Sequence, residues 1–270
     1  MAIADGTDRR KAGASDAQDG SFVARRRAIE RVLLTGATGF VGRHLLPVLA
    51  RRGFHVVGAT RHPETAQRQF PELELRRMEA TDSASIEAAL QGCQAAYYLI
   101  HGMADGPGYE EVERKSAEAF RTAAERAGIE RIIYLGGMQP RGRPSRHLES
   151  RLRTGGILRS AKVPTIELQA AMVIGGGSES WRIVRDLAAR LPIMVLPQWL
   201  ESRSQPIAID DVTFALAEAL TLPLTESIAL PLPGPEVLSA REILTRTAAL
   251  LGSHPKAIGV PVVTPRLSSY

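Results

Sequence analysis

Cysteine is almost absent: Cys93 is the only one in 270 residues. A lone thiol excludes an internal disulfide and fits a reducing compartment. Placed just after a predicted helix, it reads as a small packing residue. Lysine is nearly as scarce. Of the 34 basic residues four are lysines (Lys11, Lys115, Lys162, Lys256) and 30 are arginines. Arginine suits phosphate clamps, but these arginines are scattered along helices beside Glu and Asp. That pattern reads as a solvated surface, so no nucleic-acid partner is expected. Long apolar runs are missing too. No stretch of about 18 apolar residues occurs, so a membrane span is not supported. The first 28 residues lack apolar periodicity and read as a disordered tail. Their aspartates argue against a transit peptide, and no apolar segment follows Arg25-Arg26-Arg27, which argues against a secretory signal. The expected location is cytoplasmic.

What is present is a folded, basic chain. Hydrophobic content of 44% is enough to bury a core, and the net charge is +5. The length fits one large domain or a domain plus a small cap. Three segments are expected: the tail 1–28, a main domain over 29–175, and a lobe over 176–270 interleaved with it.

The most informative stretch is Val32-Leu33-Leu34-Thr35-Gly36-Ala37-Thr38-Gly39-Phe40-Val41-Gly42. A short apolar run ends in three glycines spaced three apart, and a helical pattern follows. Gly36 lets the chain leave the strand sharply. Gly39 removes the Cβ that would bar a pyrophosphate, and Gly42 lets the helix lie close to the strand. The helix start then offers N–H groups and a positive dipole end to phosphate, with Thr38, Phe40 and Val41 around it. The competing reading is a plain strand-to-helix turn. Strands at 54–59, 73–78, 95–100 and 131–135 alternate with helices at 40–52, 83–90 and 109–127. Such alternation predicts an α/β fold, a doubly wound parallel sheet of the Rossmann kind, with its site at the strands' C-terminal ends. Pro47 lies inside the first helix and is expected to strain or kink it. The second strand ends in Thr60-Arg61-His62. No carboxylate stands there to repel a 2′-phosphate, and Arg61 is placed to pair with one, or else faces solvent. NADP is favoured, with NAD the alternative. Ile100, His101 and Met103 follow the fourth strand and Gly136-Gly137-Met138 the fifth, all on the same edge of the groove.

Thr35-Gly36-Ala37-Thr38-Gly39-Phe40-Val41-Gly42 resembles the T-G-A-T-G-x-x-G signature of the extended and atypical short-chain dehydrogenase/reductases. Gln205-Pro206-Ile207-Ala208-Ile209-Asp210-Asp211-Val212 resembles that family's P-I-x-V-x-D-V segment, where Asp210 or Asp211 is expected to cap a helix. The resemblance covers about Arg31 to Tyr270. It is nearest to an atypical NAD(P)H-binding subgroup, distantly similar to NmrA-like regulators and to an accessory subunit of respiratory complex I. Relatives continue past Tyr270, so the chain is expected to be cut short.

The resemblance implies that Glu79 and Ala80 lie near the adenine. It also implies a Tyr-x-x-x-Lys pair on the helix after strand five, the tyrosine exchanging a proton and the lysine tuning it. This chain has His147 and Arg151 there instead. His147 is the candidate acid–base residue, with a capping or exposed histidine the other reading. Arg151 cannot relay a proton but is placed to hold ribose or phosphate. Trp181, Met194 and Trp199 are candidates to line an apolar substrate pocket, or to form lobe core. The reading is an NADP(H)-binding reductase acting on an apolar carbonyl or quinone-like small molecule. The rival is a non-catalytic NAD(P)H sensor or structural protein acting through a protein partner.

Overall fold

A computed structural model describes residues 29–101, 108–140, 142–190, 193–197, 201–223, 225–253 and 256–260. The tail 1–28, Met103 and Trp199 lie outside these residues, and so does the side chain of Met194. The first half runs β1 (Arg31–Thr35), α1 (Phe40–Arg51), β2 (His55–Thr60), α2 (Pro63–Gln67), β3 (Glu74–Arg77), α3 (Ser83–Leu90), β4 (Ala95–Tyr98), α4 (Tyr109–Ala127), β5 (Arg131–Gly137) and α5 (Arg146–Arg159). The second half runs β6 (Thr165–Ala170), β7 (Val173–Ile174), α6 (Glu179–Arg190), β8 (Ile193–Pro197), β9 (Arg203–Ser204), β10 (Ile207–Ala208), α7 (Ile209–Ala219), β11 (Ile228–Leu232), β12 (Leu238–Ser239), α8 (Ala240–Leu250) and β13 (Lys256–Val260).

Seven strands form one sheet in the order β11-β6-β5-β4-β1-β2-β3, and every pairing in it is parallel. This is the doubly wound arrangement the alternation predicts. The strands are apolar runs because both faces are covered. Val32, Leu34, Tyr97, Ile133 and Ile166 pack on one side with Leu45 and Leu49 of α1 and Val212 and Leu216 of α7. Leu33, Val57, Tyr98, Ile132 and Tyr134 pack on the other with Ile86 of α3, Phe120 of α4 and Leu158 of α5. Each fully buried large side chain contributes about 1.5–3 kcal/mol. Cys93 is buried in the second layer, as a packing residue.

The chain winds outward from β1 to β3, then returns to place β4 on the other side of β1. The sheet's switch point therefore opens between β1 and β4, where an α/β sheet takes its ligand. Asp82 caps α3 by accepting from the Ala84 N–H at 3.0 Å, as expected. Pro47 sits within α1, which continues from Phe40 to Arg51, with its ring on the exposed face. One expectation fails: neither Asp210 nor Asp211 is an N-cap. Ala208 holds that position because β10 runs straight into α7, and both aspartates fall in the first helical turn, where they still face the positive dipole end.

Candidate functional site

At the end of β1, Gly36 has φ +67°, and a Cβ there would lie 2.8 Å from the Leu99 carbonyl oxygen. Glycine alone serves the turn and the close passage of the chain leaving β4. A Cβ on Gly42 would collide with the Gly36 carbonyl and stand 2.8 Å from Ala37 Cα, so this glycine seats α1 against the corner. Gly39 differs. A Cβ there would meet only the Gly36 oxygen, at 3.2 Å, and otherwise open space. Gly39 is also the N-cap of α1; no side chain caps that helix start, and no acidic residue lies in its first turn. The first N–H groups of a helix have no partner within it. A bare corner with open donors and a positive dipole fits a diphosphate.

The corner is one wall of a groove of about 1270 Å³. The groove takes in Gly36, Thr38, Gly39, Phe40, Val41 and Gly42, then Arg61, Glu79 and Ala80 at the ends of β2 and β3. Ile100 and His101 after β4, Gly136 of β5, and His147 and Arg151 of α5 complete the set. Residues spread over more than a hundred positions thus share one cavity. Arg61 makes no ion pair among the described residues, and the neighbouring Glu64 is taken by Arg77 at 2.7 Å. Glu79 turns its carboxylate to its own end of the loop, accepting from the Ala80 N–H at 3.1 Å.

At the other end, three basic side chains converge. Ser145 caps α5 through the Leu148 N–H at 3.2 Å, and the helix carries His147 and Arg151 one turn apart. One Arg151 amino group lies 2.7 Å from His101 Nδ1. The other donates to the Leu135 carbonyl. The guanidinium lies over the Tyr134 ring at 5.8 Å. Burial, then the Arg151 guanidinium, holds the His147 imidazole below its usual pKa, and Glu113 opposes this. The His101 ring opens on the groove, yet crowding by the walls, then Arg151 and His147, holds its pKa well below the usual range. Both imidazoles are therefore neutral at neutral pH.

Two buried carboxylates lie behind this cluster, and sequence reading missed both. Glu113 of α4 lines the groove and accepts from the Ser150 hydroxyl. Glu167 of β6 is fully buried. Its carboxylate sits where Cβ atoms on Gly136 and Gly155 would collide with it. Arg159 Nε stands 2.8 Å from Oε2 but aims its N–H at the Gly155 carbonyl, 3.3 Å away; the ion pair has no aligned hydrogen bond. Burial raises the Glu167 pKa, against the lowering effect of Gln169 and Arg159. The signal for Glu167 was a charged residue inside an apolar strand with glycines on its neighbours, visible only once β5, β6 and α5 are assembled. The groove lining is polar as well as apolar: Ser178, Glu179, Arg203 and Gln205 line it with Met138, Met172 and Val237. Trp181 is not among its lining residues.

Residues 36–163 match the family described as NAD(P)H-binding. The chain is 26% identical over 235 residues to a ceramide reductase of Caulobacter vibrioides, an alignment covering 85% of this chain and 73% of that protein. It is 30% identical over 111 residues to cinnamoyl-CoA reductase 1 of Oryza sativa subsp. japonica. That match covers 38% of this chain and spans only about a third (33%) of the rice protein's length. Among solved structures, the UDP-glucose 4-epimerase of Thermus thermophilus in complex with NAD shares the fold, with a TM-score of 0.66 and 19% identity over 88% of this chain and 92% of that one.

Proposed function

We propose that this chain, an NAD(P)H-binding Rossmann protein of the short-chain dehydrogenase/reductase kind, is an NADP(H)-dependent reductase of apolar carbonyl or quinone-like compounds. One observation carries the reading: a single groove joins the bare glycine corner, an arginine at the end of β2, and the His101, His147 and Arg151 cluster at the ends of β4 and β5. In this reading the α1 N-terminus holds the diphosphate and Arg61 holds a 2′-phosphate. Gly136 and Gly137 line the end of the groove that would take the nicotinamide, and Arg151 borders the reacting centre. The bound cofactor supplies the hydride. His147, the titratable group nearest to Arg151 on the same helix face, exchanges the proton. Residues 176–270 supply the substrate side of the groove.

A specific observation supports a second reading. Positions 147 and 151 hold no Tyr-x-x-x-Lys pair, and a guanidinium relays no proton, so NADP(H) would be a structural or sensed ligand read by a protein partner. Calorimetric titration decides the cofactor. NADPH is expected to bind tighter than NADH, and Arg61→Ala should weaken NADPH by about tenfold or more while sparing NADH, the scale of a charge-assisted hydrogen bond. Equal affinities would remove the NADP assignment, and no binding of either would remove the reading. NADPH oxidation with a carbonyl and quinone panel, lost in His147→Ala, supports the reductase; tight binding without turnover supports the second reading.

A further inference from the structure

We propose that the α5 end of the groove is an oxyanion site, with Arg151 as the cation, His101 as the residue that aims it, and conjugated carbonyls as the substrate class. The inference rests on the preceding reading that a dihydronicotinamide lies beside Gly136 and Gly137.

Arg151 is fixed from several sides. One amino group donates to the Leu135 carbonyl. The other faces the His101 ring, 2.7 Å from Nδ1. The guanidinium lies over the Tyr134 ring, 5.8 Å from its centre, and the Tyr134 hydroxyl donates back to the Arg151 carbonyl at 3.1 Å. Arg151 Nε stands 3.7 Å from the place a Cβ on Gly137 would take. The hydrogen-bond partners of the guanidinium among the described residues are the Leu135 carbonyl and the two ring nitrogens of His101. The two nearby carboxylates are engaged elsewhere: Glu113 with Ser150, and Glu167 with Arg159 and Gln169. A pre-positioned cation without a bound carboxylate, facing the end of a strand, suits charge that develops during reaction.

The same contacts limit proton supply. A guanidinium N–H set against a ring nitrogen requires a lone pair there, so His101 is neutral in this arrangement. Among the described residues Nδ1 of His147 is buried without a hydrogen-bond partner, and an imidazolium would leave its N–H unpaired at that point. The Tyr134 hydroxyl already donates to backbone. The site therefore offers fixed positive charge and no ready acid.

That combination selects among acceptors. Hydride addition to a simple ketone makes an alkoxide, a base strong enough to need an acid at once. An enone or quinone instead gains the hydride with its electron pair, the dihydronicotinamide is left as pyridinium, and the π pair moves onto the carbonyl oxygen. The product is an enolate or hydroquinone anion, a much weaker base. Arg151 holds that oxygen until a proton from water reaches it through His147, which passes the proton on rather than storing it.

The test uses a stable mimic. 4-Nitrophenolate and its uncharged counterpart 4-nitroanisole are titrated into the full chain saturated with NADP⁺, and the phenolate absorption band is followed. The phenolate should bind at least tenfold tighter than the anisole, with a shifted band. Arg151→Gln should abolish both preference and shift when NADP⁺ is raised until that variant too is saturated. His101→Gln, which keeps an acceptor for the guanidinium, should retain the preference within about twofold; His101→Leu should lose it. In turnover, cyclohexenone and menadione should be reduced by NADPH and cyclohexanone should not, and the first two separate the enone from the quinone source. No preference for phenolate with NADP⁺ bound, or cyclohexanone reduced as fast as cyclohexenone, overturns the proposal. If no nicotinamide nucleotide binds, the underlying reading fails instead. The same phenolate titration on the unliganded chain then still decides the oxyanion site.

Discussion

Two glycines six and three residues from the same turn answer different demands, and substitution separates them. Gly42→Ala drives a methyl into the Gly36 carbonyl and close to Ala37 Cα. Backbone cannot move aside cheaply, so this change should cost about 1–3 kcal/mol of stability. Gly39→Ala meets only one atom, at 3.2 Å, and should leave the melting temperature nearly unchanged. Its methyl projects into the open corner where the proposed diphosphate would lie, so NADPH affinity should fall at least tenfold. Equal stability loss in both variants, or unchanged affinity in Gly39→Ala, would sink this division. This distinction was legible in the sequence because glycine spacing beside a strand encodes it locally. Glu167 was not. Its setting comes from Gly136 and Gly155, each distant along the chain, and only the assembled strand and helix bury it. Burial raises its pKa above the ordinary 4.5, so the folded state holds the proton more tightly than the unfolded chain. Its contribution to stability is thus fully present below the unfolded value and is lost as pH rises through the folded one. Glu167→Gln, nearly the same shape, should flatten the stability profile from about that pH upward. Urea melts across mildly acidic pH would show it; an unchanged slope would rule it out.

Elements were legible where local pattern alone makes them, and were missed where neighbours do. α3, α4 and α5 start and stop at Asp82, Gly128 and Ser145, residues whose capping role is written in their type. α8 opens with a complete capping box, Ser239 with Glu242. β11 left no such mark. It is five residues long, contains Pro231, and among the described residues pairs only with β6. An edge strand tolerates that proline because one side has no ladder to serve. The C-terminus of α7 is likewise closed from afar: Arg131 at the start of β5 donates to the carbonyls of Ala219, Leu220 and Leu222 at 2.9, 2.7 and 2.6 Å. α1 shows an element carrying a residue it would form better without. Pro47 is exposed and mid-helix. Proline there is about 3 kcal/mol worse than alanine, while removing it frees the unfolded chain by up to about 1 kcal/mol. The first effect is larger, so Pro47→Ala should stabilise by about 1–2 kcal/mol, read as a higher midpoint in urea at constant slope. A lower midpoint would mean that α1 has already adapted to the ring.

At the scale of the molecule, the groove depends on chain segments that local reading assigns to different places. Its phosphate corner and its α5 cluster come from the first 160 residues, but the layer that holds α1 in place does not. Ile207, Val212, Leu216 and Leu220 belong to the same core cluster as Leu45 and Leu49, and β11 covers the open edge of β6. Removing residues after Gly175 would strip all of these at once. Four large buried side chains at about 1.5–3 kcal/mol each amount to about 6–12 kcal/mol, comparable with the roughly 5–15 kcal/mol that holds a whole domain folded. The fragment 1–175 should therefore show no cooperative thermal transition and no NADPH binding, although it contains the whole glycine corner. The described fold as a unit should instead melt once, and NADPH at about a hundred times its dissociation constant should add about 2.7 kcal/mol to that transition, a rise of several degrees for a chain of this size. If the fragment melts cooperatively and takes up NADPH, the N-terminal half is a domain by itself, and α7 and β11 are attachments to a site that stands without them.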